Sequence, residues 1–260
     1  QITIPSSITS IESQAFYDCT SLTQIIIPSS VTSIPWEAFF NCKSLEQVTI
    51  PSSVTSIGEK AFCSCESLTQ VKIPPSVTSM GYHPFTCCPK LQGIFVDPAN
   101  PEFCSIDGVL IEKKTQTLIW YPNARPGSTN YTIPSSVKAI AKYSFYDCTS
   151  IEQITIPSSM TSIGKSAFSR FKSLAQVTIP SSVTSIEECA FSYCDSLTQI
   201  VIPSSVTSIG EGAFSHCKLL TQITIPSSVT SIGKHAFYEC PKLSLSIQDD
   251  LKKRYGSQII

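Results

Sequence analysis

The phrase Ile-Pro-Ser-Ser-Val-Thr-Ser-Ile recurs with small changes down the chain, and its proline stands at Pro5, Pro28, Pro51, Pro74, Pro134, Pro157, Pro180, Pro203 and Pro226. All but one of the steps between these prolines are 23 residues. A fixed period of this length means that one small supersecondary unit stacks on the next, so that the chain lengthens without widening its core. An isolated unit would lose roughly 1–2 kcal/mol of backbone entropy per residue, while each apolar side chain returns only about 1.5–3 kcal/mol on full burial. No unit folds alone, and a single solenoid spanning residues 1–260 is expected.

Within the second unit the apolar positions are Leu22, Ile25, Ile27, Val31, Ile34, Ala38, Phe39 and Cys42, and the offsets recur at Leu45, Ile50, Val54, Ile57, Ala61, Phe62 and Cys65. Around Gln24–Ile27 the alternation has period two and stops at Pro28, which lacks an amide donor; this predicts one short strand per turn and a parallel sheet along one side of the coil. Pro-Ser-Ser then forms a polar corner. A short helix or 3₁₀ turn fits the segment Gly58-Glu59-Lys60-Ala61-Phe62. The position filled by Gly58, Gly81, Gly164, Gly210 or Gly233 is filled elsewhere by Glu12, Pro35 or Glu187, so it does not require positive φ.

From Pro74 to Pro134 the step is 60 residues, two periods plus 14, so one unit is enlarged at 97–133. Its strand comes from Leu91, Ile94 and Val96. Two apolar runs follow around a polar tip at Lys113–Gln116, a hairpin pattern that projects from the coil or lies over the sheet as a flap, and it carries Trp120 and Tyr121. At 243–260 the offsets lapse and Asp249, Asp250, Lys252, Lys253 and Arg254 concentrate charge, as expected of a cap. Gln1 enters directly into a strand-like Ile2-Thr3-Ile4. That reads as an uncapped N-terminal edge, with upstream residues removed, through which copies of the chain could associate end to end.

Lys plus Arg number 18 against 19 Asp plus Glu, and charged residues make up 14% of the chain, so no basic footprint for nucleic acid is present. No run approaches the roughly 20 apolar residues that cross a bilayer, so this stretch does not insert into a membrane. Eight of the twelve cysteines share one repeat position: Cys19, Cys42, Cys65, Cys88, Cys148, Cys194, Cys217 and Cys240. Phe171 fills that position in another turn, and an aromatic ring replaces a buried apolar thiol but neither a metal ligand nor half of a required bridge. Buried free thiols are the expectation. Off the ladder, a Cys63–Cys87 bridge carries little weight, and a zinc site there lacks the paired C-x-x-C pattern.

His83, His216 and His235 sit at different offsets in different repeats and are expected not to converge. No Gly-x-Ser-x-Gly elbow, phosphate loop or paired carboxylate accompanies the many serines, so no catalytic residue, metal ligand or cofactor is assigned. Asn130-Tyr131-Thr132 is one N-x-T acceptor sequence. On the sheet face the alternation sets Gln and Thr outward in two columns, as at Gln47 and Gln70, and near-identical units would produce such columns without selection for a ligand. The columns break at Lys72 and Phe95 beside the hairpin, so the candidate partner-binding residues are Lys72, Phe95, Trp120, Tyr121, Gln47 and Gln70. For Trp120 the plainer role, sealing the irregular turn's core, carries more weight.

The unit from Ile202 to Ile225, with its Ala-Phe-x-x-Cys segment, closely resembles the BspA-like, Treponema pallidum-type leucine-rich repeat, and the match extends over residues 1–247. The Asp107-Gly108-Val109-Leu110 hairpin resembles an insertion common in that family. The resemblance implies a right-handed solenoid with a parallel sheet on its concave face, short helices or 3₁₀ turns elsewhere, and one inserted hairpin. It further implies a surface or secreted adhesin-like module that binds host protein or glycan and uses no cofactor. The alternative is a structural or intracellular scaffold, favoured by a ladder of reduced thiols and an uncharged face; a hydrolase ranks third.

Overall fold

The computed structural model describes residues 2–127 and 129–260. The chain divides into two compact units, Gln1–Lys114 with Trp120–Pro126, and Thr115–Ile119 with Gly127–Ile260. Both are stacks of 23-residue turns. In the first unit the strands Ile2–Thr3, Gln24–Ile26 and Gln47–Thr49 pair in parallel with Ile2 opposite Ile25 and Gln24 opposite Gln47, and Gln70–Ile73 pairs with Gly93–Val96. In the second, Asn130–Thr132, Gln153–Thr155, Gln176–Thr178, Gln199–Val201 and Gln222–Thr224 pair likewise. In most of these strands the central residue is buried and its neighbours are exposed, as period two dictates.

A second column of strands accompanies the first. Ser33–Ile34, Ser56–Ile57 and Ser79–Met80 pair in parallel in the first unit, and a column that includes Ser185–Ile186, Ser208–Ile209 and Ser231–Ile232 does so in the second. Two residues are too few to show an alternation, so each turn contributes two strands where its sequence pattern announces one.

The Ala-Phe-x-x-Cys segments are turns; the helix and the 3₁₀ turn of this fold lie at its C-terminal end. Two residues in each regular turn, such as Glu37 and Asn41, or Cys189 and Tyr193, adopt left-handed backbone with φ between 51° and 63°. The reason is the pattern of backbone bonds. Amides of alternate residues donate to the following turn, Glu37 to the Glu59 carbonyl at 3.0 Å, Phe39 to Ala61 at 2.8 Å and Asn41 to Cys63 at 2.8 Å. The intervening amides close i to i−3 turns, Ala38 to Pro35 and Phe40 to Glu37. Left-handed residues cost about 1–2 kcal/mol each, and three bonds between turns return about 0.5–1.5 kcal/mol each. The two nearly balance, which leaves the buried side chains to decide stability.

Those side chains stack in register. Phe16, Phe39, Phe62 and Phe85 follow one another with centroids 5.1, 5.3 and 5.8 Å apart, and Phe168, Phe191, Phe214 and Phe237 do so at 5.0, 5.5 and 5.5 Å. The repeated second serine of Pro-Ser-Ser zips the corner, Ser53 and Ser76 each donating at 2.7 Å to the carbonyls of Val31 and Val54 in the preceding turn. Gly58, Gly81, Gly164, Gly210 and Gly233 have no positive φ. At Gly81 the demand is close approach instead, since a Cβ would lie 2.3 Å from the Glu59 nitrogen.

In the enlarged repeat, Phe103–Ile106 and Val109–Glu112 form an antiparallel hairpin. It turns at Asp107 and Gly108, both with positive φ as a type I′ turn requires. Lys113–Gln116, the expected tip, is a four-residue turn between the strands Val109–Glu112 and Thr117–Trp120. The hairpin lies against Gly93–Val96: the Ile94 amide donates to the Gly108 carbonyl at 2.9 Å and the Val96 amide to Ser105 Oγ at 3.1 Å. It thereby covers a strand edge that a regular turn would cover. Buried Asn100 substitutes for the missing serine. Its Nδ2 donates to the carbonyls of Pro74 and Val77 at 2.9 and 2.8 Å, and its Oδ1 accepts the amides of Glu102 and Phe103.

The chain closes with the helix Leu245–Tyr255, whose N-cap Ser244 accepts the Ile247 amide, and the 3₁₀ turn Ser257–Ile259. Lys252, Lys253 and Arg254 lie in the helix's last turn, where they complement its dipole. Gln258 and Ile259 supply carbonyls to the amides of His235 and Phe237, both at 2.7 Å, completing the between-turn ladder for the last repeat.

Two outcomes follow for stability. Glu239→Val, at an exposed left-handed position, lowers unfolding free energy by about 1–2 kcal/mol, whereas Glu239→Gly does not, as read by urea titration. Asn100→Ala strips four backbone groups of a partner and costs about 2–3 kcal/mol in the same assay.

Candidate functional site

The exposed face of the first unit's strands carries Gln24 and Ile26, Gln47 and Thr49, then Gln70 and Lys72, and finally Gly93 and Phe95. Pairing sets Lys72 beside Phe95 and Gln70 beside Gly93. Gly93 leaves the glutamine column because the Phe95 ring occupies its space; a Cβ there would meet the ring at 2.7 Å. Phe95 keeps 42% of its surface exposed and Ile26 47%, so the face is not uniformly polar. Below Lys72 and Phe95 lies a hollow of about 260 Å³ whose walls include Ile50, Pro74, Pro75 and Asp97.

Of the expected contact residues, Gln47, Gln70, Lys72 and Phe95 therefore share one solvent-facing surface. Trp120 and Tyr121 do not. They are 3% and 1% exposed, so the expectation that they add to a contact surface is corrected: their apolar rings are core. Pro75 and Asp97 were not singled out, although each is visible as a departure, Pro75 replacing the first serine of Pro-Ser-Ser.

A second grouping overturns another expectation. His216 and His235 do converge, on Tyr238. The His216 ring stacks on Tyr193 at 4.2 Å and meets Tyr238 edge-on at 5.5 Å, and His235 meets Tyr238 edge-on at the same distance. Their offsets differ, but the turns they occupy are adjacent. The sequence Asn130-Tyr131-Thr132 is a strand paired with Gln153–Thr155 rather than a loop.

Among the described residues no disulfide joins two cysteines. Most ladder thiols donate to the phenylalanine carbonyl of the preceding turn, as Cys65 does to Phe39 at 3.2 Å and Cys88 to Phe62 at 3.1 Å. Phe171 takes the ladder position in one turn, its ring 6.2 Å from Phe145 and 6.1 Å from Phe168. Burial, first among the causes, pushes the Cys42 and Cys88 thiols up from 9.0 to about 12. Among the described residues, no group of three or more His, Cys, Asp or Glu side chains could hold a metal ion, and no helix is long and apolar enough to cross a membrane.

These features define a leucine-rich-repeat solenoid. The profile described as "BspA type Leucine rich repeat region (6 copies)" matches residues 1–105 and 125–244. The chain belongs to the BspA-type leucine-rich repeat family. Among solved structures, a leucine rich cell surface protein from Faecalibacterium prausnitzii is 32% identical with a TM-score of 0.78, the match covering 93% of this chain and 77% of that one. The pneumococcal vaccine antigen PcpA is 22% identical with a TM-score of 0.73 over 98% of this chain and 87% of that one. A leucine-rich repeat protein from Eubacterium ventriosum is 24% identical with a TM-score of 0.59, over 86% and 78%. The last two share the fold. A search of curated proteins finds no significant match.

The raised thiols set an alkaline limit. The unfolded chain releases the Cys42 and Cys88 protons near pH 9 and the folded chain only near 12, so stability from these groups is complete below pH 9 and falls between 9 and 12. The unfolding free energy read by urea titration is expected to hold up to pH 8.5 and then drop by up to about 1.4 kcal/mol per pH unit for each thiol. Cys42→Ala and Cys88→Ala each remove one increment of that slope.

Proposed function

We propose that this chain is a surface or secreted adhesin-like module that binds a protein or glycan of a host through the exposed sheet face around Lys72 and Phe95. The observation that carries the reading is the interruption of an otherwise repetitive Gln and Thr face by a lysine and a half-exposed phenylalanine, side by side above a hollow. Duplicated units give every turn the same surface, so a specific contact has to use positions where turns differ. A half-exposed aromatic ring such as Phe95 also suits an interface core, which is enriched in aromatic anchors and depleted in Ser. The surface location is supported by the relative from Faecalibacterium prausnitzii, described as a cell surface protein. Gln47 and Gln70 supply hydrogen bonds at the rim.

A second reading, a structural or intracellular scaffold, is favoured by the ladder of free thiols. Localisation of the full-length product separates the two.

Immobilised extracellular glycoproteins, intact and enzymatically deglycosylated, are to be titrated with the purified chain. Lys72→Ala with Phe95→Ala is expected to weaken binding at least about tenfold, the effect of a hot spot worth 1.4 kcal/mol or more. Unchanged binding by the double variant places the contact elsewhere, and loss on deglycosylation assigns a glycan ligand.

A further inference from the structure

The ladder thiols are sealed in the core, but one thiol pair is not. Cys63 and Cys87 lie on consecutive turns, one position out of register, and their side chains are in hydrogen-bond contact. The backbones that carry them are clamped, the Ser64 amide donating to the Thr86 carbonyl at 2.8 Å and the Phe62 amide to Pro84 at 2.8 Å. Cys63 is 7% exposed, whereas Cys87 is exposed to solvent. Thiol contacts also occur between Cys194 and Cys217 and between Cys217 and Cys240, but all three of those side chains are buried. Each also donates to a backbone carbonyl of the preceding turn. Among the thiol contacts of the described residues, the Cys63–Cys87 pair is set apart by giving an oxidant direct access to one sulfur.

We infer that Cys63 and Cys87 are a disulfide-forming site, closed by thiol–disulfide exchange with a small disulfide of the glutathione class or a disulfide oxidoreductase. The exposed Cys87 sulfur, as thiolate, attacks one sulfur of the oxidant, breaking its S–S bond and releasing one thiolate that takes up a proton. Cys63 then gives its proton to solvent, and its sulfur attacks the Cys87 sulfur of the mixed disulfide. The Cys63–Cys87 bond forms and the second thiolate leaves and is protonated. Two thiols are oxidised by two electrons, and one external disulfide is reduced to two thiols.

The order follows from the contacts. Cys63 is held protonated by its hydrogen bond to Cys87 and by burial, so its thiol is raised and it resolves rather than initiates. The bond would close a loop across two turns at the enlarged end of the first unit, restricting the unfolded chain. The inference does not rest on the adhesin reading, because it needs only an oxidising setting and no partner.

The purified reduced chain is equilibrated in a buffer of oxidised and reduced glutathione, alkylated without reduction and digested with trypsin. Thiol counting in denaturant without reduction is expected to give two fewer than the twelve of the reduced chain. Mass spectrometry is expected to show peptide 61–72 joined to peptide 73–90. Because these peptides also contain Cys65 and Cys88, single variants assign the bond: Cys65→Ala and Cys88→Ala keep the link, and Cys63→Ser and Cys87→Ser lose it. Cys87→Ser, at an exposed position, is decisive because it leaves the core intact, which circular dichroism checks. Twelve thiols retained, a link that persists in Cys87→Ser, or glutathione remaining on Cys87 without resolution overturns the inference.

Discussion

Alternate amides of each turn donate to carbonyls of the next, and the rest of the architecture depends on those bonds. They hold consecutive turns in a 23-residue register, so equivalent side chains lie above one another. They also demand that two residues per turn go left-handed, because only then do amides point alternately along the stack and back into their own turn. Glu37, Lys60, Tyr143 and Arg170 accept this conformation without being glycine, since a buried amide without a partner would cost more than the strain. The C-terminal 3₁₀ turn continues the same pattern by giving carbonyls to His235 and Phe237.

Register then dictates the interior. Once turns repeat at strand spacing, a phenylalanine in each becomes a stack of parallel rings, and a cysteine in each becomes a column of thiols. Neither column needs a ligand or bridge to explain it. Each ladder thiol that reaches the preceding phenylalanine carbonyl has its one donor satisfied, and burial keeps it protonated. Cys63 and Cys87 stand outside that column, and their sulfurs face different surroundings for that reason.

The same repetition makes surface individuality scarce. A face of Gln and Thr repeated at each turn gives a partner no preferred register, and the enlarged repeat is where the first unit becomes distinctive. Phe95, Lys72, Gly93 and the hairpin turn at Asp107–Gly108 form one connected arrangement there: the ring excludes a side chain at Gly93, and Gly108 approaches the Gly93 Cα closely enough that a Cβ would sit 3.0 Å from it. The hairpin covers a strand edge and so serves stability, while the neighbouring Lys72 and Phe95 stay exposed.

By itself the sequence determined the period, the inward residues and the breaks in the pattern: Val54, Ile57, Ala61, Phe62 and Cys65 are all buried, as their recurrence implied. These follow from composition at fixed spacing, a property of each segment alone. Tertiary structure alone decided the second strand column, the left-handed positions, the burial of Tyr121, and the meeting of His216 and His235 at Tyr238. Each of these depends on contacts between residues far apart in the chain, commonly 22 to 26 positions in the regular turns, or on how the irregular repeat packs. No local pattern of two strand residues, or of a Glu, Tyr or Cys at a turn, encodes which carbonyl the next turn will present.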